Sequence, residues 1–248
     1  MVLLVILFFT CGKPKTSYAQ SLSVPDHGSW TQLLQKHVRS SGLVDYKGFV
    51  ADQDKLRAYT EILSNNPPAA SWSDEDQIAY WINAYNAFTV KLIVDNYPVK
   101  SIKDLNPSLS IPTVRSIWTK EWFQIGGEDF SLDRIEHKIL RKDFEEPRIH
   151  FAVNCASISC PNLRAEAYEG EILDTQLTEQ TRLFLADNSR NKISEHSVVV
   201  SKIFSWFGGD FKKGQSLIDF LNKYTSTTID KDAKVRFMSY DWNLNEIE

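Results

Sequence analysis

The sequence predicts a helix-rich α+β fold, one domain over residues 20–248 built around a small antiparallel sheet. Apolar residues recur at helical spacing in several long segments, whereas stretches with strand periodicity are short and scattered among them. No Pro/Gly/Ser-rich linker or internal repeat divides this part of the chain. The aromatic content of 12%, with seven Trp, is ample for one large core.

The first half of the chain is predicted to be helical. Apolar side chains at helical spacing indicate helices over residues 30–38 and 56–63, and two prolines follow the second of them. The longest helix is expected to begin after Ser73, because a serine N-cap followed by three acidic residues suits the positive end of the helix dipole. Its apolar stripe extends to about Asn96.

The second half combines short strands with helices. A Gly-Gly pair predicts a hairpin over residues 122–130, and Glu136 and His137 lie side by side at the edge of the helix that follows. Apolar and polar side chains alternate over residues 148–154, which is typical of a half-buried strand. The remaining predicted elements are a helix over 174–187, a strand at 198–200, a helix over 217–224 and a closing strand over 235–240.

The chain begins with a segment typical of a signal peptide. Residues 2–9 are an unbroken apolar run, too short to cross a bilayer, and Ser17 and Ala19 are small residues where a signal peptidase reads the chain. We therefore expect residues 1–19 to be removed, the protein to be exported to the periplasm or the cell exterior, and the mature chain to have no transmembrane span. The alternative is lipid attachment at Cys11, although the Phe-Phe-Thr before it matches a lipobox poorly.

The composition argues against a nucleic acid partner. The formal net charge is −4 and becomes −6 when Lys13 and Lys15 are removed with the predicted signal peptide, and no block of basic residues remains. Nucleic-acid-binding surfaces are built from clustered Lys and Arg.

Residues 150–161 carry the side chains best suited to chemistry. Strand periodicity places His150 and Asn154 on one face, and the small residues after Asn154 predict a loop that exposes Cys155. Pro161 suits the first turn of a helix, with Cys160 just before it. A thiol at a helix N-terminus has a lowered pKa, because the dipole stabilises its anion. Either cysteine could be such a thiolate.

Other roles remain open for these cysteines. They could be buried core residues, or they could form a disulfide in an exported protein. The spacing is not that of a redox C-x-x-C motif, and the order His150-x4-Cys155-x4-Cys160 does not fit the usual zinc spacings. The sequence therefore assigns no metal and no cofactor, and a metal site built from His137, His150 and a cysteine stays open only as a third, weaker alternative.

Two asparagines lie within the longest predicted helix. Asn83 and Asn86 are three residues apart, and Asn86 shares the angular position of the apolar Ile82. At least one amide is thus directed toward the interior, where it needs hydrogen-bond partners. It could tie down a loop, or it could orient a catalytic side chain or donate to a developing oxyanion.

Five segments, in order, resemble the motif set of the DUF547 family, whose function is uncharacterised. They are residues 81–87, 132–137, 150–161, 201–206 followed by Asp210 and Phe211, and 240–245. The family is expected to have Gly more often where this chain has Ala156. The resemblance implies that polar residues from distant motifs converge on one cleft, namely Asn83, Asn86, Glu136, His137, His150, Asn154, Cys155, Lys202 and Asp241.

The leading functional hypothesis is a thiol-dependent hydrolase or acyltransferase of papain-like or transglutaminase-like design, acting on peptide or amide bonds. Cys155 would be the nucleophile, and His137 or His150 the base. Glu136, Asn83 or Asn86 would orient the imidazole. The binding residues assigned with them are Asn83, Asn154, Ser157, Cys160, Lys202 and Asp241.

The chain order of these residues is not the standard one for such enzymes. Papain and the transglutaminases place Cys before His, whereas only His196 follows Cys155 here. The hypothesis therefore requires a permuted order or a role for His196.

The alternative hypothesis is a non-catalytic, exported binding module. In that case a Cys155–Cys160 disulfide shapes the loop, and the polar motif residues frame a groove. The ligand in either case is an unknown peptide or cell-envelope component.

Overall fold

The computed structural model describes residues 23–109, 111 and 115–247. The predicted signal peptide and Cys11 lie outside the described residues. Eight α-helices are described: α1 (Gly28–His37), α2 (Tyr46–Ala51), α3 (Gln53–Asn65), α4 (Asp74–Asp95), α5 (Leu173–Ala186), α6 (Ile203–Trp206), α7 (Gly208–Phe211) and α8 (Leu217–Asn222). Five strands accompany them: β1 (Phe123–Ile125), β2 (Glu128–Phe130), β3 (Lys192–Ile193), β4 (Ser197–Val200) and β5 (Lys234–Phe237).

Helix α4 is the centre of the N-terminal part. Ser73 caps it as predicted: its hydroxyl accepts the backbone N–H of Asp76 at 3.1 Å, and three acids occupy the first turn. Almost every side chain from Ile78 to Val94 is buried, because α2, α3 and a π-helix, Arg134–Leu140, pack around it. Helix α4 is therefore the scaffold on which the neighbouring loops are fixed.

The strands form two small sheets, and the predicted helix-rich α+β class is confirmed. Strands β1 and β2 form the predicted antiparallel hairpin, in which Gly126 and Gly127 both have positive φ, as a tight hairpin turn requires. In the second sheet β3 and β4 pair antiparallel, but β4 and β5 pair in parallel. The sheet is thus mixed rather than wholly antiparallel.

The strand predicted over residues 148–154 is wrong. Its first part is a 3-10 helix, Pro147–Phe151, which the fixed φ of Pro147 and the Glu146 carboxylate start, the latter accepting the backbone N–H of Arg148 at 3.0 Å. Residues 149–154 are all buried. The polar side chains that suggested an exposed face, His150 and Asn154, are buried and hydrogen-bonded instead.

The helix predicted to begin at Pro161 is also absent. Residues 161–169 are irregular, and the next helical turn is Gly170–Ile172. Helix-dipole stabilisation therefore does not reach Cys160, and the properties of its thiol come from other neighbours.

Two hydrophobic clusters make up the core. The first packs α1–α4 with the hairpin and the π-helix, and the second packs α5–α8 with β4 and Phe151. None of the described helices has both the length and the apolar character needed to cross a membrane.

Candidate active site

A cavity of about 560 Å³ draws its apolar lining from both hydrophobic clusters. Each of the five sequence motifs contributes to its wall, through Tyr85, Glu136, Cys155, Trp206 and Tyr240 among others. Segments between Tyr85 and Trp242 thus meet at one cleft, and of the nine residues expected to converge there Glu136, His137, His150 and Cys155 line it.

Cys155 lies in this wall with its sulfur surrounded by three polar groups. Its Sγ is 2.8 Å from Sγ of Cys160, 3.3 Å from the Ser157 hydroxyl and 3.3 Å from the Tyr240 hydroxyl. Both cysteines are free thiols; Cys155 is half-buried and Cys160 is buried. The backbone N–H of Cys155 donates to Sγ of Cys160 at 2.9 Å.

The surroundings shift the pKa values of the two thiols in opposite directions. The hydrogen bond from the Cys160 thiol lowers the pKa of Cys155 against the effect of burial, and Ser157 and Tyr240 act in the same direction. Burial raises the pKa of the Cys160 thiol well above its usual range. Burial also raises the pKa of Tyr240, so its hydroxyl keeps the proton that it donates. Cys155 is therefore the sulfur that ionises first.

The loop around Cys155 is braced by amides and turns sharply. Ala156 has φ 58°, a left-handed conformation that non-glycine residues rarely adopt, and its N–H donates to Oδ1 of Asn154 at 2.9 Å. The side-chain N–H of Asn154 donates to the Pro161 carbonyl at 2.7 Å. The Gly expected at position 156 would take this conformation without the steric conflict of a Cβ.

His150 is held in one orientation by a carboxylate. Its Nε2 is 2.7 Å from Oδ2 of Asp210, and its ring stacks on Phe207 at 4.0 Å between centroids. Asp210 also accepts two hydrogen bonds from Arg141, at 2.6 and 3.1 Å. Burial acts to raise the pKa of Asp210, but hydrogen bonds from His150 and Arg141 hold it well below its usual range. Asp210 is therefore an anion, and Nε2 of His150 is the donor.

The other ring nitrogen of His150 is unused. Nδ1 is buried and has no hydrogen-bond partner within the described part of the chain, and Oε1 of Glu136 lies 3.7 Å away. Because Nε2 carries the proton, Nδ1 of a neutral His150 carries the lone pair. This nitrogen is thus available to accept a proton.

His137 is in a different state. Nη1 of Arg141 is 2.7 Å from its Nδ1, and a guanidinium group can only donate. Nδ1 of His137 is therefore an acceptor and the proton lies on Nε2, 3.7 Å from Asp133. The lone pair of His137 is occupied, so His150 is the better base of the two histidines in the cavity.

Glu136 adds a second buried carboxylate. Burial acts to raise its pKa, but the imidazole of His150 and the positive charge of Arg141 hold it below the ordinary value. Glu136 projects from the π-helix, a rare element that is common at functional sites. The carboxylate oxygen Oε1 stands 3.7 Å from Nδ1 of His150.

The cavity opens toward an aromatic rim. Trp206 is 45% exposed, and its ring lies 4.8 Å from Tyr240, which in turn lies 4.6 Å from Trp242. The ammonium group of Lys103 stands 3.8 Å above the Trp242 ring. Flat apolar faces with a cation beside them thus border the opening.

The family comparison agrees with the first three of the five motifs. The model of the family described as "Protein of unknown function, DUF547" matches residues 69–185. This segment belongs to DUF547. Neither the curated proteins nor the solved structures include a match. Cys155, His150 and Glu136 lie in the DUF547 segment, whereas Asp210 and Tyr240 follow it in the chain.

The predicted site residues divide into those that line the cavity and those that support it. The cavity wall contains Glu136, His137, His150, Cys155 and Cys160. Two asparagines of α4 belong to the supporting group. The side chain of Asn86 donates to the Ala152 carbonyl at 2.9 Å and accepts the backbone N–H of Asn154 at 2.8 Å. The side chain of Asn83 likewise donates to the Tyr168 carbonyl at 2.8 Å and accepts the Tyr168 backbone N–H at 2.9 Å. Both amides thus tie loops to α4.

Three further predicted residues, and His196, lie outside the wall. Ser157 is fully buried and contacts Cys155 and Tyr240 from behind the wall. Lys202 precedes α6, and exposed Asp241 accepts the backbone N–H of Asn243. His196 is exposed and pairs with Asp230, so it does not supply the downstream histidine of a standard chain order.

Sequence reasoning missed three polar residues of the site. Asp210 is the anion that orients His150, and Arg141 is the cation paired with Asp210. Tyr240 supplies the hydroxyl that donates to Cys155. Asp210 and Tyr240 stand in two of the segments that the sequence singles out, beyond the matched residues 69–185, and that position is the signal that could have found them. Arg141 lies just after such a motif, and its pairing depends on α7.

One group of side chains has the spacing of a cation site among the described residues. It comprises Glu195, His196 and Asp230, whose ligand atoms lie within 4.8 Å of one another. All three are at the surface rather than deep in the chain, and none lines the cavity.

Proposed function

We propose that this protein is a thiol-dependent hydrolase or acyltransferase that acts on peptide or amide bonds, with Cys155 as its nucleophile. The observation that carries the proposal is that one cavity is lined both by the Cys155 thiol, which has three polar neighbours, and by His150, whose Nε2 is hydrogen-bonded to Asp210 and whose Nδ1 has no hydrogen-bond partner among the described residues. A nucleophile, a base and a carboxylate that orients the base are the parts of a catalytic triad.

Cys155 is activated by hydrogen bonds rather than by direct contact with a histidine. Its described partners are Cys160, Ser157 and Tyr240. A thiolate formed in this way attacks the carbonyl carbon of the substrate, and its sulfur becomes acylated as the amine departs.

His150 moves the protons of the reaction. As an imidazolium it donates from Nδ1 to the departing amine, and as a neutral ring it accepts the proton of the incoming water or amine. Asp210 at Nε2 and Glu136 near Nδ1 stabilise the positive charge in the first of these states. Asp210 is itself fixed by Arg141, so the ring orientation does not depend on substrate.

The order of these residues along the chain is His150, Cys155, Asp210. Papain-like enzymes place the cysteine first, so the proposal requires a permuted arrangement, and the surface position of His196 supports that requirement. The acylated thiol would be resolved by water in a hydrolase or by a second amine in an acyltransferase.

The test uses p-nitrophenyl acetate as an acyl donor. We expect one acetyl group on Cys155, located by peptide mass mapping, and continued release of p-nitrophenolate after the first turnover. Cys155→Ser abolishes both, whereas His150→Gln retains slow acetylation but loses about 100-fold or more of the turnover.

His196→Gln is the matched control, because His196 is a carboxylate-paired histidine outside the cavity. It should turn over like the wild type. Acetylation elsewhere than Cys155, or turnover that is indifferent to His150, contradicts the proposal.

A second candidate function has an observation in its favour. The 2.8 Å contact between the two sulfurs also suits a binding module in which Cys155 and Cys160 are bonded to each other. In that case the purified protein has no thiol that iodoacetamide modifies before a reductant is added, and p-nitrophenyl acetate leaves Cys155 unmodified.

We further propose that the protein is exported and meets a peptide or cell-envelope ligand outside the cytoplasm. The apolar run over residues 2–9 and the small residues Ser17 and Ala19 support this. The test is cell fractionation with N-terminal sequencing of the mature protein, which is expected to begin at Gln20.

A further inference from the structure

We propose that Cys155 and Cys160 form a reversible oxidative modification site, at which a hydroperoxide oxidises Cys155 and Cys160 then closes a disulfide with it. The site differs from a permanent structural disulfide, because the two sulfurs are 2.8 Å apart and both cysteines are free thiols in this structure. The switch of catalytic state that follows rests on the proposed function, whereas the oxidation itself does not.

The sulfurs are already positioned for bond formation. They are 2.8 Å apart, and a disulfide bond is about 2.05 Å long, so they need to approach by less than about 1 Å. The backbone N–H of Cys155 donates to Sγ of Cys160 and keeps that sulfur beside residue 155. The short approach and this hydrogen bond both favour closing the bond within the loop.

The two cysteines differ in access and in reactivity. Cys155 is half-buried and lines the open cavity, whereas Cys160 is only 4% exposed. The thiolate is the form that reacts with peroxides, and the Cys160 hydrogen bond lowers the pKa of Cys155 while burial raises that of Cys160. A small hydroperoxide that enters the cavity thus meets the reactive sulfur first.

The chemistry proceeds in two steps. The Cys155 thiolate attacks the terminal peroxide oxygen, the O–O bond breaks, and the alkoxide leaves as an alcohol after taking a proton, which makes Cys155 a sulfenic acid. Sγ of Cys160 then attacks the sulfenic sulfur; the S–S bond forms, the S–O bond breaks, and hydroxide leaves as water with the Cys160 proton. In sum, two thiols are oxidised to a disulfide and the hydroperoxide is reduced to alcohol and water.

The disulfide inactivates Cys155 as a nucleophile and protects its sulfur from further oxidation. A sulfur bonded to another sulfur cannot form the thiolate that attacks a carbonyl carbon, so the proposed acyl transfer stops. Without Cys160, a sulfenic acid at Cys155 is open to further, irreversible oxidation. A dithiol reductant restores both thiols by thiol–disulfide exchange.

The test treats the reduced full chain with an equimolar amount of tert-butyl hydroperoxide. The protein is then unfolded in denaturant with iodoacetamide, and each cysteine is read by peptide mass mapping. We expect both alkylations to be lost together, a cross-linked peptide containing Cys155 and Cys160 to appear, and dithiothreitol to restore both alkylations in full.

Two variants assign the roles. Cys160→Ala is expected to give a dimedone adduct at Cys155 when dimedone is present, and sulfinic acid when dimedone is left out and a second equivalent of hydroperoxide is added. Cys155→Ala is expected to leave Cys160 alkylatable after either treatment. If Cys160 of the wild type stays alkylatable while Cys155 becomes sulfinic acid, the proposal is overturned. The wild-type result is decisive by itself should either variant fail to fold.

The outcome is separable from that of the proposed function. A reversible disulfide without acetylation of reduced Cys155 removes the proposed enzyme activity and leaves the modification site standing. Acetylation of Cys155 without any cross-link on peroxide treatment leaves the proposed enzyme activity standing and removes the modification site.

Discussion

Replacing Asn86 by Ala is expected to destabilise the protein and to disturb the cysteine loop at the same time. The amide of Asn86 is 2% exposed, and it donates to the Ala152 carbonyl at 2.9 Å and accepts the Asn154 N–H at 2.8 Å. Alanine leaves both backbone groups buried without a partner. Each such group costs roughly 1–3 kcal/mol, so the free energy of unfolding should fall by about 4 kcal/mol.

Asn83→Ala is the matched control. Asn83 lies on the same helix, is equally buried and clasps two backbone groups, but they belong to Tyr168 rather than to the segment before Cys155. Both variants should lose similar stability in urea unfolding. Only Asn86→Ala should also change the iodoacetamide labelling rate of Cys155 in the folded protein.

Two results would refute this reasoning. A loss below about 1 kcal/mol for Asn86→Ala would mean that the clasp is replaced by other partners or by water. An equal change of Cys155 labelling in both variants would mean that Asn86 has no special link to the loop.

Three further predictions concern particular contacts. Asp210→Asn places an amide N–H against Arg141 or His150, and it should lower stability by about 2 kcal/mol in urea unfolding and reduce p-nitrophenyl acetate turnover about 100-fold or more. The pKa of Asp210 is lower in the folded than in the unfolded protein, so the ionised carboxylate contributes its full stabilisation above about pH 4 and loses it as the pH falls further. The difference in free energy of unfolding between wild type and Asp210→Asn should therefore shrink below about pH 4, as measured by acid unfolding. Ser73→Ala removes the hydroxyl that accepts the Asp76 N–H and should lower stability by about 1 kcal/mol, with no effect on Cys155 labelling.

Local signals were enough to predict most helices and the hairpin. The serine cap of α4 and its long apolar stripe act within a few residues of each other, and the hairpin follows from a Gly-Gly turn. The parallel pairing of β4 with β5 was not predictable in this way. Those strands are separated by α6, α7 and α8, so their pairing is decided by how the helices pack.

The segment that carries His150 shows where sequence reasoning fails. Its alternating pattern resembles a half-buried strand, but its polar groups are hydrogen-bonded to residues far along the chain: the His150 ring to Asp210, and the Asn154 backbone N–H to Asn86. A polar residue with a distant partner can lie in the core, and periodicity alone cannot distinguish it from one that faces water.

The grouping of residues in the cavity was predicted only in part, for the same reason. Glu136, His137, His150 and the two cysteines lie together in the cavity, since the motifs that contain them converge there. The roles within the site depend on tertiary contacts. Arg141 occupies the lone pair of His137, and Asp210 leaves that of His150 free, which no spacing along the chain reveals.

The most direct test of the central claim is the pH dependence of iodoacetamide labelling at Cys155 and Cys160, read separately in the reduced, folded protein. We predict rapid labelling of Cys155 with a midpoint clearly below the ordinary thiol value of about 8.5, and slow labelling of Cys160 with a midpoint above it. A Cys155 midpoint at or above about 8.5, or equal labelling of the two cysteines, would contradict the claim that Cys155 is an activated nucleophile.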